Sequence, residues 1–294
     1  QYGLLADRLY AIQSSTSWQV MAGFYYAEQR MPLLIRNALV IPKIIWWSLT
    51  FKLFSRLRRR ADFHSISASG LFDEAWYLKQ YPDVPLKGFR ANAHWWMIGW
   101  REGRDPNPLF HTKWYLERYK DVIDSQKDPL LSYIERGICA GHDPCPLFDS
   151  MWYLENNTDL DKLGINPLMH YLRTGWREGR DPHPFFATDW YLERNPEAAQ
   201  AGINPLVHYL KSGWKEGRNP HPLFSAHWYL RRNTDIAQAG INPFVHYVYT
   251  GWREGRDPHP LFVTAWYLKR NPDVALAEIN PLLHYLNTGW REGR

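Results

Sequence analysis

One unit of 38 residues is written six times along most of this 294-residue chain. Phe72, Phe110, Phe148, Phe186, Phe224 and Phe262 keep that step without exception. So do Trp76, Trp114, Trp152, Trp190, Trp228 and Trp266, each followed by Tyr-Leu, and Gly99, Gly137, Gly175, Gly213, Gly251 and Gly289. A fixed period of about 20 to 50 residues marks a stacked array, in which each unit buries its apolar face against its neighbours. No insertion breaks the register. Such a chain presents a surface that repeats, and a single catalytic pocket fits it poorly.

The fourth unit, FATDWYLERNPEAAQAGINPLVHYLKSGWKEGRNPHPL, serves as the type. Thr188 is placed to cap a short helix carrying Trp190, Tyr191 and Leu192. Asn195-Pro196-Glu197 reads as a second helix start: Asn caps, Pro takes the first position, and the carboxylate suits the positive end of the helix. Gly202 stops that helix. Asn204-Pro205 starts a third, with Leu206, Tyr209 and Leu210 on one face and Gly213 as its expected stop at positive φ. Asn219-Pro220-His221-Pro222 is extended, because proline restricts the residue before it. No run reads as a strand. The expected fold is all-α: an α-solenoid of six units, starting at 72, 110, 148, 186, 224 and 262, with an amphipathic helical leader. The large periodic aromatic residues, including 13 of the 16 tryptophans, are expected to be core.

Two units depart from the pattern. Unit one has Trp95-Trp96 where later units have Tyr and an aliphatic residue, as suits a terminal repeat. Unit two has Ile138, Cys139, Ala140 and His142 where others have Trp, Arg or Lys, Glu and Arg, and the pattern offers no reason for it. Cys139 and Cys145 both fall in unit two, which argues against a disulfide framework and predicts two free thiols. The chain begins at Gln1 without a signal peptide and ends short of an Asp-Pro-x-Pro link, so it reads as part of a longer protein.

Charge divides the chain. Residues 1–70 hold nine Lys and Arg against three Asp and Glu, and the rest holds 26 against 27. Residues 1–40 read as the end of a helical or coiled-coil leader, and residues 41–71 as a basic amphipathic helix and linker. In IPKIIWWSLTFKLFSRLRRR, residues 41–60, Trp46, Leu49, Leu53 and Leu57 share a helical face flanked by Trp47, Phe51 and Phe54. Lys52, Arg56 and Arg59 line the other side. Lys43 and Lys52 interrupt what would have to be about 20 apolar residues to span a bilayer. The segment is therefore expected either to lie on an anionic membrane surface through Trp46, Trp47, Lys52, Phe54, Arg56 and Arg59, or to pack on the first repeat.

Candidate sites are few. His94, His170, His208, His246 and His284 recur at one helix position, and His183, His221 and His259 in the links. They lack the companion Cys or carboxylate of a zinc site, so helix packing with a ring nitrogen bonded to backbone is expected. The Trp-Arg-Glu-Gly-Arg box offers Trp176, Arg177, Arg180, Trp214, Arg218, Trp252, Arg253 and Arg256. Aromatic plus arginine can stack on a sugar or hold an anion. The other reading is that Trp covers the third helix while Arg and Glu pair across the junction to the next unit. Near-identity in nearly every unit favours this structural role. No nucleophile elbow, phosphate loop, Cys-x-x-Cys pair or distinctive carboxylate pair is present, and neither a cofactor nor a metal is expected.

The whole unit, F-x-x-x-WYL through NPL-x-HYL-x-x-GWREGR over residues 72–294, resembles tandem repeats of large bacterial multidomain proteins. Many of these are glycosyltransferases that build cell-surface polysaccharide, and similar units stand beside calcium-binding repeats in secreted bacterial proteins. Leu9-Tyr10-Ala11-Ile12 and Ser15-Thr16-Ser17-Trp18 are similar to the segment ending the coiled coil of such enzymes, although Gln19 replaces an Arg there and Ala22-Gly23-Phe24 replaces Ala-Pro-Leu. The resemblance implies a non-catalytic accessory array, cytoplasmic and peripheral to the bacterial inner membrane, docking a protein partner or holding glycan. The alternative is an array that binds carbohydrate directly through Trp and Arg. No nucleic-acid partner is expected.

Overall fold

The computed structural model describes residues 62, 64–84, 91–124 and 127–294. Residues 1–61, with the candidate membrane residues Trp46, Trp47, Lys52, Phe54, Arg56 and Arg59, lie outside the described residues. Residues Ile66–Pro82 and Ala91–Arg294 form one compact body. It is an all-α solenoid of six repeated units. The described residues hold no strand, only isolated bridges such as His183 with Phe186 where a link meets the next unit.

In unit four the first helix is Thr188–Arg194, the second Pro196–Gln200, and the third Pro205–His208, which runs on into a π-helical turn, Tyr209–Gly213. Helices this short are unstable alone, so packing must order them. It does so through an aromatic triad. The Phe186 ring lies 5.3 Å from that of Tyr191 and 5.9 Å from that of Tyr209, and the two tyrosine rings meet edge to face at 6.0 Å. All three side chains are fully buried. Unit three repeats the triad with Phe148, Tyr153 and Tyr171. In unit one Trp95 occupies the third place and is also fully buried, which accounts for that departure.

The expectation that the periodic tryptophans form the core is corrected for those of the first helices, while Trp95, Trp176 and Trp252 are buried. Successive helical residues point about 100° apart, so only one of Trp-Tyr-Leu can face the centre of the unit squarely. That residue is the tyrosine; Trp190 is half-buried and Trp266 is 55% exposed.

Two helix starts also differ from expectation. Thr188 is the first helical residue, not the cap. Its amide donates to Asp181 Oδ1 in the preceding link at 2.7 Å, and its hydroxyl donates to the Arg180 carbonyl at 2.9 Å. The same link-to-helix bond recurs at Asp105–Thr112, Asp143–Ser150, Asn219–Ala226 and Asp257–Thr264, and it forms part of the junction between units. Asn195 precedes the second helix but makes no capping bond there; its amide group donates instead to the Tyr191 carbonyl. Asn204 does cap the third helix, accepting from the amides of Leu206 and Val207 with Pro205 next in line.

Gly202 stops the second helix at φ +62, whereas Gly213, the last residue of the π-helical turn, does not take a positive φ. The Trp214 amide reaches back to the Tyr209 carbonyl, five residues away, so the helix is widened in its last turn, which ends at Gly213. Glycine is required there for space: a β-carbon would strike the Tyr191 hydroxyl. The positive φ lies four residues on, at Gly217.

Unit two becomes intelligible in this frame. In the other units the first-helix tyrosine is hydrogen-bonded to a third-helix histidine, as Tyr153 is to His170 Nδ1 at 2.9 Å. Unit two has Ser132 at that histidine position and supplies the nitrogen from the other end: Tyr115 is bonded to His142 Nδ1 at 2.9 Å. The His142 ring stacks on Tyr119 at 3.8 Å and 10°. The altered positions 132 and 142 therefore compensate one another.

The coil brings unit five back over unit two. The Tyr249 hydroxyl donates to the Pro146 carbonyl at 3.0 Å across 103 positions. Its ring meets Trp114 edge-on at 6.0 Å, and the Arg118 guanidinium lies 5.8 Å from it. Two units earlier, Arg173 approaches Gly70 at the matching positions.

Candidate functional site

The box follows directly from the π-helical turn. Once the helix widens at Gly175, Gly213 or Gly251, the chain makes one tight turn that ends at a positive-φ glycine, Gly179, Gly217 or Gly255. That turn sends the two basic residues of each box in different directions.

The last arginine is turned inward on its own unit. Arg180 Nε donates to Glu178 at 2.6 Å, its Nη1 to Asn157 at 2.9 Å, and both terminal nitrogens to the two Asp159 oxygens at 3.0 Å. Arg256 does the same with Glu254, Asn233 and Asp235, and Arg218 with Glu216, Asn195 and Glu197. The carboxylate at 159, 197 or 235 sits in the first turn of the second helix. The arginine therefore ties the end of the third helix to the start of the second, within one unit. Pairing across the junction, the expected geometry, does not occur at these arginines; the link aspartates make the junction. Hydrogen bonding to Arg256 holds the Asp235 carboxyl down at about 2.

The first basic residue of the box turns outward. Arg177 lies 4.2 Å over the Trp176 ring, Arg253 lies 4.3 Å over Trp252, and Arg291 lies 4.8 Å over Trp290. Lys215 takes the place over Trp214 at 5.5 Å. Each of these arginines also donates to the carbonyl four residues before it, Arg173, Tyr249 or Asn287. All four cations are exposed. Among the described residues no carboxylate pairs with Arg177, Arg253, Arg291 or Lys215.

The tryptophans beneath are not equivalent. Trp176 and Trp252 are buried, Trp214 is half-buried and Trp290 is exposed. Trp290 Nε1 donates to the Leu286 carbonyl, so this side chain lies back along the third helix, as the structural reading expects.

A second set of pairs was missed from the sequence. In the first helices Arg194 lies 4.9 Å over Trp190, and Arg232 and Arg270 each lie 5.2 Å over Trp228 and Trp266. The signal was present, since Trp and Arg four apart share a helix face. Trp190, Arg194, Asn195, Gly217, Arg218 and Asn219 line a shallow recess, where the first helix of unit four meets its box.

The histidines are committed to packing. Tyr77, Tyr153, Tyr191, Tyr229 and Tyr267 are each bonded to the Nδ1 of the recurring histidine at 2.8 to 3.0 Å, a side-chain partner where a backbone one was expected. Burial pushes Tyr153 and Tyr229 up and their partners His170 and His246 down, so these two pairs are neutral near pH 7. The link histidines do bond to backbone: His183 Nδ1 accepts from the Phe185 amide at 3.1 Å, and His221 and His259 match it. Asn107 Oδ1 performs the same task in unit one. Burial holds His183 at about 3 and His221 at about 4. Cys145, at the same position in unit two, is buried and free, and Cys139 is exposed and free. Among the described residues no three His, Cys, Asp or Glu side chains are grouped to hold a metal. No helix among them is long and apolar enough to cross a membrane.

Compared with known proteins, the chain is matched by no protein-family model, no curated protein and no solved structure.

Proposed function

We propose that this chain is a non-catalytic repeat scaffold that serves a bacterial glycosyltransferase of cell-surface polysaccharide assembly. It docks partner proteins or holds the growing glycan near the membrane, with the basic segment 41–60 on the anionic lipid surface. One observation carries the reading. In unit after unit, the recurring polar groups of the interior (the Tyr–His pair, the Asn between helices, the last arginine of the box) are spent on holding that same unit together. What remains for the outside is a motif repeated along the chain, which suits docking and not turnover. The link to polysaccharide assembly rests on the resemblance of residues 72–294 to repeats of such enzymes.

The test is genetic and biochemical together. Deleting the codons for residues 72–294 from the gene lowers the amount or chain length of surface polysaccharide, and the purified chain releases no nucleoside diphosphate from sugar nucleotides. Unchanged polysaccharide overturns the scaffold reading. Sugar-nucleotide turnover by the purified chain overturns its non-catalytic part.

A further inference from the structure

We infer that the outward cations of the box, Arg177, Lys215, Arg253 and Arg291, bind the carboxylates of an acidic polysaccharide. The inference rests on the scaffold reading above and names the partner chemistry of its exposed surface.

The first ground is that the three arginines are held in place and that, among the described residues, all four cations are left without a charge partner. An arginine over a tryptophan face, with one terminal nitrogen fixed to a helix carbonyl, has lost much of its rotamer freedom before any ligand arrives. The remaining donors of its planar fork match a carboxylate in two parallel hydrogen bonds. The last arginine of each box shows the contrast: Arg180 and Arg256 are already saturated by Asp159 and Asp235.

The second ground is repetition. Equivalent groups at a fixed chain step suit a ligand whose own charge repeats, and many weak contacts to such a polymer combine through effective concentration. A peptide of defined sequence offers no such period. The third ground is charge density. A protein surface that binds nucleic acid is strongly basic, whereas the part of the chain after residue 70 holds 26 basic against 27 acidic residues. Sparse cations among carboxylates suit a polymer with one charge per sugar or per few sugars. The partly exposed tryptophans, Trp214 and Trp290, offer apolar surface beside the cation for the C–H face of a ring.

Binding of the full 294-residue chain to polygalacturonate fragments, followed by calorimetry at low and moderate salt, tests this. The account expects measurable binding that weakens with salt, and none to methyl-esterified fragments or to neutral dextran. Replacing Arg177, Arg253 and Arg291 together by Gln is expected to weaken binding at least about tenfold while leaving the melting temperature within a degree or two. Three results overturn the proposal: no binding to polygalacturonate, binding that the triple variant leaves intact, or equal binding to poly-glutamate or single-stranded DNA. Any of these, alongside a loss of surface polysaccharide on deleting residues 72–294, would remove the proposal and leave the scaffold reading standing.

Discussion

The Tyr191 hydroxyl stands over the α-carbon of Gly213, so close that no β-carbon fits, and it is bonded at the same time to His208 Nδ1 at 2.8 Å. Tyr153 with Gly175, Tyr229 with Gly251 and Tyr267 with Gly289 repeat the relationship. Gly213→Val therefore acts by overpacking and destabilises the array by about 1–3 kcal/mol. Tyr191→Phe removes the obstructing oxygen, so Gly213→Ala costs less in that background than in the native chain, a non-additivity read from denaturant melts. Strict additivity would mean the contact is not what demands glycine.

Glu278 adopts φ +51 at the position where Gly164, Gly202 and Gly240 stand at +62. A side chain in the left-handed region costs roughly 1–2 kcal/mol. Glu278→Gly is expected to raise stability by about 1 kcal/mol, offset in part by the greater freedom of glycine in the unfolded chain. A lowered melting temperature would contradict the strain.

Stability is expected to peak at mildly acidic pH. His183 and His221 are held neutral by burial, at about 3 and about 4. Their contribution is full above the unfolded value near 6.5 and is lost as pH falls through the folded values. Burial raises Asp143 to about 7 and Asp181 to about 6. Their contribution is full below the unfolded value near 3.9 and is lost as pH rises through 6 to 7. The Asp143→Asn, Asp181→Asn double variant should flatten the decline above pH 6 and leave the acid limb in place. Unit four already carries Asn219 there, accepting the same helix amide at 2.9 Å. An unaltered profile above pH 6 would refute the assignment.

The contact between Tyr249 and Pro146 fixes how successive turns meet. Tyr249→Phe leaves a carbonyl without its donor and is expected to cost about 1 kcal/mol, whereas the matching residues Lys211 and Asn287 tolerate change within about 0.5 kcal/mol. Equal effects at the three positions would show that the turn contact contributes nothing.

The period, the helix count and the third-helix start at Asn204-Pro205 were legible in the sequence because local rules govern them: a cap residue, a proline at the first helical position, a glycine at positive φ. Gly213 was misread because a glycine needed for clearance looks the same in sequence as one needed for conformation. Only the Tyr191 hydroxyl, 22 residues earlier in the chain, tells them apart. The junction was misassigned for a similar reason. Arg180 and Glu178 are neighbours in sequence, but the third partner, Asp159, lies 21 residues back and becomes adjacent only when the unit folds. The compensation in unit two, and the return of Tyr249 to Pro146, depend on side chains that meet through packing and leave no local signature.

Each box divides its labour: its last arginine holds the unit, and its other cation faces out with no carboxylate partner among the described residues. Thermal unfolding of Arg256→Gln and Arg253→Gln, measured side by side, tests it most directly. Loss of the Arg256 fork to Asp235, Glu254 and Asn233 is expected to cost about 1 kcal/mol, since half-exposed ion pairs contribute modestly even as a network. In an array of this size that lowers the melting temperature by about 2–4 °C. Arg253→Gln should leave it unchanged within about 0.5 kcal/mol. Equal melting temperatures for the two variants, or a lower one for Arg253→Gln, would contradict the division.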